Sequence, residues 1–215
     1  KTGLLTRWKT TDEQVLGNAQ SEYGTLLKAL PEGLHSILDA GANGGYSTYF
    51  FASARPMATV VALEPDASNF QMLRLNTRRL ERVLPVHAAL WGMHGERVRL
   101  LNGTRTHQGR QWQMRTLPLA SAKKEAASET RPGEKCAGGC ALGDVVASVS
   151  VPSLARMACV SSFDLVKVDI EGSEAHVFNP EDPATLEWVK RVRYVYVETH
   201  SDFVASSEKR TLDTL

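Results

Sequence analysis

Four short apolar runs in this chain each stop at an acidic residue, and that arrangement restricts the fold more than any other feature. The runs end at Asp39, Glu64, Asp169 and Glu198. Thr59-Val-Val-Ala-Leu63 is the cleanest of them, β-branched and uncharged throughout. Such a run suits a strand covered on both faces, as in a parallel sheet flanked by helices. Between the runs the pattern turns helical. Tyr23, Leu26, Leu27 and Leu30 recur at i, i+3, i+4 and i+7 behind Asn18 as N-cap, and Pro31 and Gly33 stop the helix. Helices are expected over residues 46–55 and 67–80, and a third strand over 83–90. The alternation predicts an α/β fold with a doubly wound, mostly parallel sheet.

The alternation then breaks. Residues 97–101 and 145–151 read as strands on either side of a long polar stretch, within which 121–143 reads as a surface insertion without an apolar face. Residues 163–168 and 192–197 resume the sheet, with a short helix over 184–190 between them and the start of another helix at the end. The expected organisation is an N-terminal segment over 1–34 with one amphipathic helix, then one domain over 35–215 carrying an insertion at about 102–144.

At 215 residues, 42% apolar and 23% charged, the chain is long enough for one well-cored domain. A net charge of +1 argues against a dedicated nucleic-acid binder. No apolar run approaches the ~18 residues of a membrane span. Three cysteines do not make a disulfide framework, and Cys136 and Cys140 lack nearby partners for a zinc site. The first residue is Lys1, so the chain is expected to be part of a longer protein and its compartment is not assigned.

In an open parallel sheet, ligands bind beyond the carboxyl ends of the strands, where strand order reverses. The polar signatures cluster at those ends. Asp39-Ala-Gly41-Ala-Asn43-Gly44-Gly45 links the first strand to its helix. Its glycines allow a tight turn and a close ligand approach. A dehydrogenase fingerprint would place a glycine where Asn43 stands, and Asp39 suits a cation better than a pyrophosphate. Glu64, 20 residues after Gly44, is placed to accept from both hydroxyls of a ribose. A positively charged ribose ligand without phosphates describes S-adenosylmethionine.

Residues 37–46, 60–66, 163–174 and 195–200 resemble the FkbM-type methyltransferases, a branch of the class I S-adenosylmethionine-dependent enzymes. The most specific matches are Asp-Ala-Gly-Ala-Asn-Gly-Gly-Tyr, Leu-Glu-Pro, Leu-Val-Lys-Val-Asp-Ile-Glu-Gly-Ser-Glu and Glu-x-His. The resemblance implies a Rossmann-like, seven-stranded sheet and methyl transfer to a hydroxyl oxygen. It also implies that Asp39 and Gly41 face the methionine part of the cofactor, within a turn completed by Asn43 and Gly44. Glu64 would then face the ribose and Ala88-Ala89 the adenine, with Asp169 also at the cofactor. The insertion is longer than the family pattern suggests. The closing pair of antiparallel strands is not found in the sequence, so a truncated sheet edge is expected.

Period two puts Lys167, Asp169 and Glu171 on one side as their strand runs out. A lysine in an apolar strand needs a partner, and Asp169 is in reach. Glu198 and His200 open onto the same cleft. A hydroxyl acceptor needs a base, and the candidates are His200, Asp169 and Glu171, with His200 closest to neutral pH by type. The same set has the chemistry to hold a divalent cation, but no metal is assigned. The expected partner is a small molecule or glycan hydroxyl acceptor. Five arginines over 97–115 offer it an alternative face. Two competing functions are a nicotinamide-dependent oxidoreductase on the same half-fold and a binding module that has lost transfer.

Overall fold

Thr59–Leu63 forms β2 residue for residue as its composition predicts. The computed structural model describes residues 3–102, 114–119, 142–171, 173–200 and 207–215. Within them β2 pairs in parallel with β1 (Ser36–Ala40) on one side and β3 (Val83–Val86) on the other. β1 pairs onward with β8 (Leu165–Val168), and β8 with β9 (Tyr194–Val197), all in parallel. The sheet order is therefore β3-β2-β1-β8-β9. The chain winds outward from β1 to β3 and then returns to the far side of β1. The reversal falls between β1 and β8, which is where such a sheet opens a crevice.

Alternation along the strands divides the core. Leu38, Ala40, Val61, Leu63, Val166 and Val168 share one face with Phe163, Phe178, Trp188 and Leu154 of α4 (Val151–Met157). Ile37, Val60 and Leu165 share the other with Ala19 and Tyr23 of α1 (Asp12–Ala29) and with Tyr46 and Phe51 of α2 (Tyr46–Ala54). Burial on both faces explains why the strands carry almost no polar residue until their ends. α3 (Ala67–Thr77) follows β2, its N-terminus capped by Asp66, which accepts from the Ser68 and Asn69 amides at 3.0 and 2.8 Å.

A second sheet lies beside the first, in the order β4-β7-β5-β6, comprising β4 (Ala89–Leu90), β5 (Arg97–Asn102), β6 (Met114–Pro118) and β7 (Leu142–Val149). β5 runs antiparallel to both β6 and β7. The expected third strand over 83–90 is thus two strands. It breaks at His87, after which Ala89 pairs with Ser148 of the second sheet. Val151, expected to end a strand, instead opens α4. The expected insertion falls mostly on residues 103–113 and 120–141, which lie outside the described residues, but its last part is β7. Three further helices, α5 (Glu174–Val177), α6 (Pro183–Val189) and α7 (Ser207–Thr214), complete the described chain, with α7 packed on α5.

The first helix starts six residues before Asn18, which is an exposed residue of its second turn and no cap. The cause is tertiary. Arg7 grips Asp12 through two nitrogens, at 2.9 and 2.7 Å, and reaches Asn69 of α3 at 2.8 Å. The Leu5 amide donates to Asn76 at 2.8 Å, and the Tyr46 hydroxyl donates to the Leu5 carbonyl at 3.1 Å. Residues 5–12 therefore strap α1 to α2 and α3. Among the described residues no helix is long and apolar enough to cross a membrane.

Candidate functional site

The turn after β1 is shaped by close approach. Gly41 has φ +80°, and a Cβ there would lie 1.7 Å from the Asp169 carbonyl oxygen, so no side chain fits. Its amide and that of Ala42 both donate to the Leu63 carbonyl, at 3.0 and 2.9 Å, tying the tips of β1 and β2 together. Asn43 takes the left-handed region at φ 49°, and its side chain accepts from the Gly44 amide at 2.7 Å. Asparagine tolerates that conformation better than most residues. At Gly44 a Cβ would lie 2.8 Å from the Tyr46 ring, so α2 can begin against the turn only if this residue is glycine.

Asp39 lies beneath this turn and does not line the crevice. It is fully buried, and one oxygen accepts from Ser47 at 2.7 Å and Thr48 at 2.6 Å. The other sits 3.3 Å from the Lys167 ammonium. Lys167, expected to pair with Asp169, does so at 3.7 Å, and it also donates to the Ala40 and Gly41 carbonyls at 3.3 and 3.0 Å. Burial works against this ammonium, but Tyr23, Asp39 and Asp169 outweigh it and hold the lysine protonated. A nearly buried ion network thereby forms the floor of the switch point between β1 and β8.

Glu64 is at the tip of β2, 5% exposed. It accepts from the Asn43 amide at 2.9 Å, the Asp66 amide at 2.9 Å and the Asn69 side chain at 3.5 Å. Burial pushes its carboxyl up to about 7, against the pull of the Asp66 and Asn43 amides. A carboxylate nearly sealed by protein yet lining a cavity is placed to accept hydrogen bonds from a ligand. Beyond β3, Ala88 is buried in the core and does not line the cavity, whereas Ala89 and Leu90 do. His87 stacks on Phe70, ring centroids 4.8 Å apart.

The tips of β8 and β9 bring four acids around one imidazole. His200 Nδ1 lies 2.7 Å from Glu174 Oε1, and Ser207 donates to the other oxygen of that buried carboxylate at 2.8 Å. His200 Nε2 faces Glu171 at 3.6 Å, Asp169 at 3.8 Å and Glu198 at 3.8 Å. Burial opposes charge on the ring, but Glu174, Glu171 and Asp169 outweigh it and raise its pKa to about 9. His200 is therefore an imidazolium at neutral pH, unlike the neutral base its residue type suggests. Glu171, at φ 52°, is pushed up to about 7 by burial, with Asp169, Glu198 and Glu174 adding to the rise and His200 opposing it. Ligand atoms of Asp169, Glu198 and His200 lie within 4.8 Å of one another, a spacing one divalent cation can bridge.

Asp169, Glu171 and Glu198 meet Glu64 in one open cavity of about 210 Å³, whose lining does not include His200 or Glu174. Gly41, Asn43, Glu64, Asp169 and Glu171 line it and Gly44 does not, while Asn18, Glu22 and Tyr23 of α1, a helix the sequence pattern sets outside the domain, also line it. Glu22 is fixed by the Tyr196 hydroxyl, which donates to it at 2.6 Å. No local pattern marks Glu22 as a site residue, since its partner lies 174 residues away; Glu174 closes the acidic motif after β8, but its pairing with His200, 26 residues on, is not visible there. Asn69 carries a signal, because the Asp66 cap places it in the first turn beside Glu64.

A family model described as the methyltransferase FkbM domain matches residues 39–215. The chain belongs to that family. Its order of parallel strands, with the reversal beside β1, is the class I methyltransferase arrangement, and it is a Rossmann-like α/β fold. No sequence among the curated proteins matches the FkbM domain chain. Solved structures resemble it distantly. Precorrin-6y C5,15-methyltransferase from Geobacter metallireducens is 12% identical, with a TM-score of 0.47 over 98% of this chain and 75% of that one. An O-methyltransferase from Bacillus cereus in complex with SAH is 20% identical, with a TM-score of 0.34 over 88% of this chain and 64% of that one. Coclaurine N-methyltransferase, bound to N-methylheliamine and SAH, is 22% identical, with a TM-score of 0.30 over 39% of this chain and 25% of that one. The family match leaves the oxidoreductase reading without support.

Proposed function

We propose that this FkbM domain is an S-adenosylmethionine-dependent methyltransferase that methylates a hydroxyl oxygen of a small molecule or sugar. The observation that carries the reading is Glu64, a buried carboxylate held by two backbone amides at the tip of β2 with its face to the cavity. The residues fit the cofactor. Glu64 would accept from the ribose hydroxyls, Ala89 and Leu90 offer an apolar wall to the adenine, and Gly41 and Asp169 border the methionine part. Asp39 acts from below, by fixing Lys167 and the start of α2 through Ser47 and Thr48.

When bound, the cofactor supplies an electrophilic methyl group on a sulfonium. The protein's task is then to align the acceptor, exclude water and take the hydroxyl proton. Glu171 is the base in this reading, because a carboxyl with a pKa of about 7 is available near neutral pH, whereas His200 is already protonated. The His200 imidazolium holds Asp169, Glu171 and Glu198 together and favours the ionised form of Glu171.

The test is methyl transfer from methyl-labelled S-adenosylmethionine to a panel of sugars and polyols. Label recovered as base-stable methyl ether, and lost in Glu171→Gln, supports the reading. Label recovered on nitrogen or carbon, or none from a protein that binds the donor, contradicts it.

A further inference from the structure

Two asparagines of α3 turn opposite ends to opposite neighbours. Asn69 and Asn76, about two turns apart, lie on one buried face of that helix. The Asn69 oxygen accepts from the Arg7 guanidinium at 2.8 Å, and its NH2 group lies 3.5 Å from the Glu64 carboxylate. The Asn76 oxygen accepts from the Leu5 amide at 2.8 Å. Its NH2 group donates to the carbonyls of Gly44 at 2.8 Å and Leu5 at 3.1 Å. Each side chain therefore links the strap over residues 5–12 to one part of the cradle around Glu64. Asn69 reaches the carboxylate itself, and Asn76 the turn whose Asn43 amide donates to it.

A carboxamide has a sense, because its oxygen only accepts and its NH2 group only donates, whereas a guanidinium has donors alone. With Arg7 in place the Asn69 oxygen has to face the strap, which leaves the NH2 group for Glu64. A reversed amide would set an oxygen against the carboxylate. Arg7 is itself held. Its Nε and Nη2 meet the Asp12 carboxylate at 2.9 and 2.7 Å, its backbone amide donates to the same group at 2.8 Å, and Nη1 reaches the Ser68 hydroxyl at 3.1 Å. Burial raises the Glu64 carboxyl and the charge of Asp66 adds to the rise, while the Asp66 and Asn43 amides and the Asn69 side chain oppose it. Asn69 also lines the cavity.

We propose that Arg7 is a positioning residue for nucleoside binding, which fixes the sense of the Asn69 amide and, through it, the Glu64 carboxylate that receives the ribose. The inference rests on the methyltransferase reading above and extends the cofactor site to the strap. That strap lies ahead of residue 39, where the family match begins.

The experiment titrates the full chain with S-adenosylhomocysteine by calorimetry between about pH 6 and about pH 8. It compares the parent with Arg7→Lys, Asn69→Leu and the double variant. Lysine keeps a cation beside Asp12 but lacks the fork that also reaches Asn69. Arg7→Lys is expected to weaken binding about threefold or more near neutral pH, the scale of one hydrogen bond, and to move the rise of affinity to higher pH. In the Asn69→Leu background the same change is expected to have no further effect. A second measurement needs no variant: the Asn69 side-chain NH2 resonances of the parent should shift as Glu64 ionises, with a midpoint of about 7. Unchanged affinity and an unmoved pH rise in folded Arg7→Lys overturn the proposal. So does a loss of equal size with and without Asn69, which makes the strap merely structural, and so do Asn69 resonances that ignore pH. A folded parent that does not bind S-adenosylhomocysteine refutes the donor reading, and this inference with it.

Discussion

The Lys167 ammonium lies 3.3 Å from the Asp39 carboxylate, and both side chains are sealed from solvent. One residue belongs to β8 and the other to β1, so this pair joins the strands on either side of the topological switch. Removing one partner leaves a buried charge uncompensated. Lys167→Ala is expected to lower the unfolding free energy by about 3–5 kcal/mol, read by urea denaturation. Lys167→Met combined with Asp39→Asn is expected to recover part of the loss, because neither charge is then stranded.

Gly41 offers a steric test of the same junction. Its φ is positive, and a Cβ at this position would come within 1.7 Å of the Asp169 carbonyl oxygen, which leaves no room for a methyl group. Gly41→Ala should cost about 3 kcal/mol or more. Gly33→Ala, where a Cβ meets nothing within 4 Å, should stay within about 0.5 kcal/mol of the parent. Thermal melts of the two variants check both.

Glu64 predicts a pH dependence with a defined sign. Its folded pKa of about 7 lies above the unfolded value of 4.5. Its contribution to stability is present below 4.5 and is lost as pH rises through 7. Ligand binding runs the opposite way, because the ionised carboxylate is the better acceptor for ribose hydroxyls. Affinity for S-adenosylhomocysteine should therefore rise from about pH 6 to about pH 8, and Glu64→Gln should flatten that rise in calorimetric titrations.

Glu171 and His200 predict the pH–rate profile. The acidic limb of kcat/KM should sit near pH 7, the value of the Glu171 carboxyl. Because His200 lowers the pKa of Glu171, His200→Gln should move that limb to higher pH. Glu171→Gln should slow transfer about a hundredfold and leave affinity for S-adenosylhomocysteine intact.

Much of the fold is legible in the sequence wherever a local rule decides structure. β2 follows from an uncharged β-branched run, and Glu64 and Asp169 follow from being the first acids beyond buried strands. Local pattern fails where distant contacts decide. Thr11 and the acids Asp12 and Glu13 are residues of the kind that start a helix, but the grip of Arg7 on Asp12 and Asn69 is not visible locally. Nothing within 83–90 shows that Ser148 will draw Ala89 into a second sheet and leave Ala88 in the core. The pKa of His200 escapes local reading for the same reason, since Glu174 acts on it from another element. Residue type gives a reference value, and only the assembled cluster gives the shift.

The tips of β1 and β2, in this account, grip a sulfonium nucleoside through Glu64. Isothermal titration of the folded chain with S-adenosylhomocysteine tests that claim most directly. The account predicts saturable one-site binding, weakened at least about tenfold in Glu64→Ala, the effect of losing a charged hydrogen bond. No binding to folded protein, or equal affinity in the variant, would contradict it.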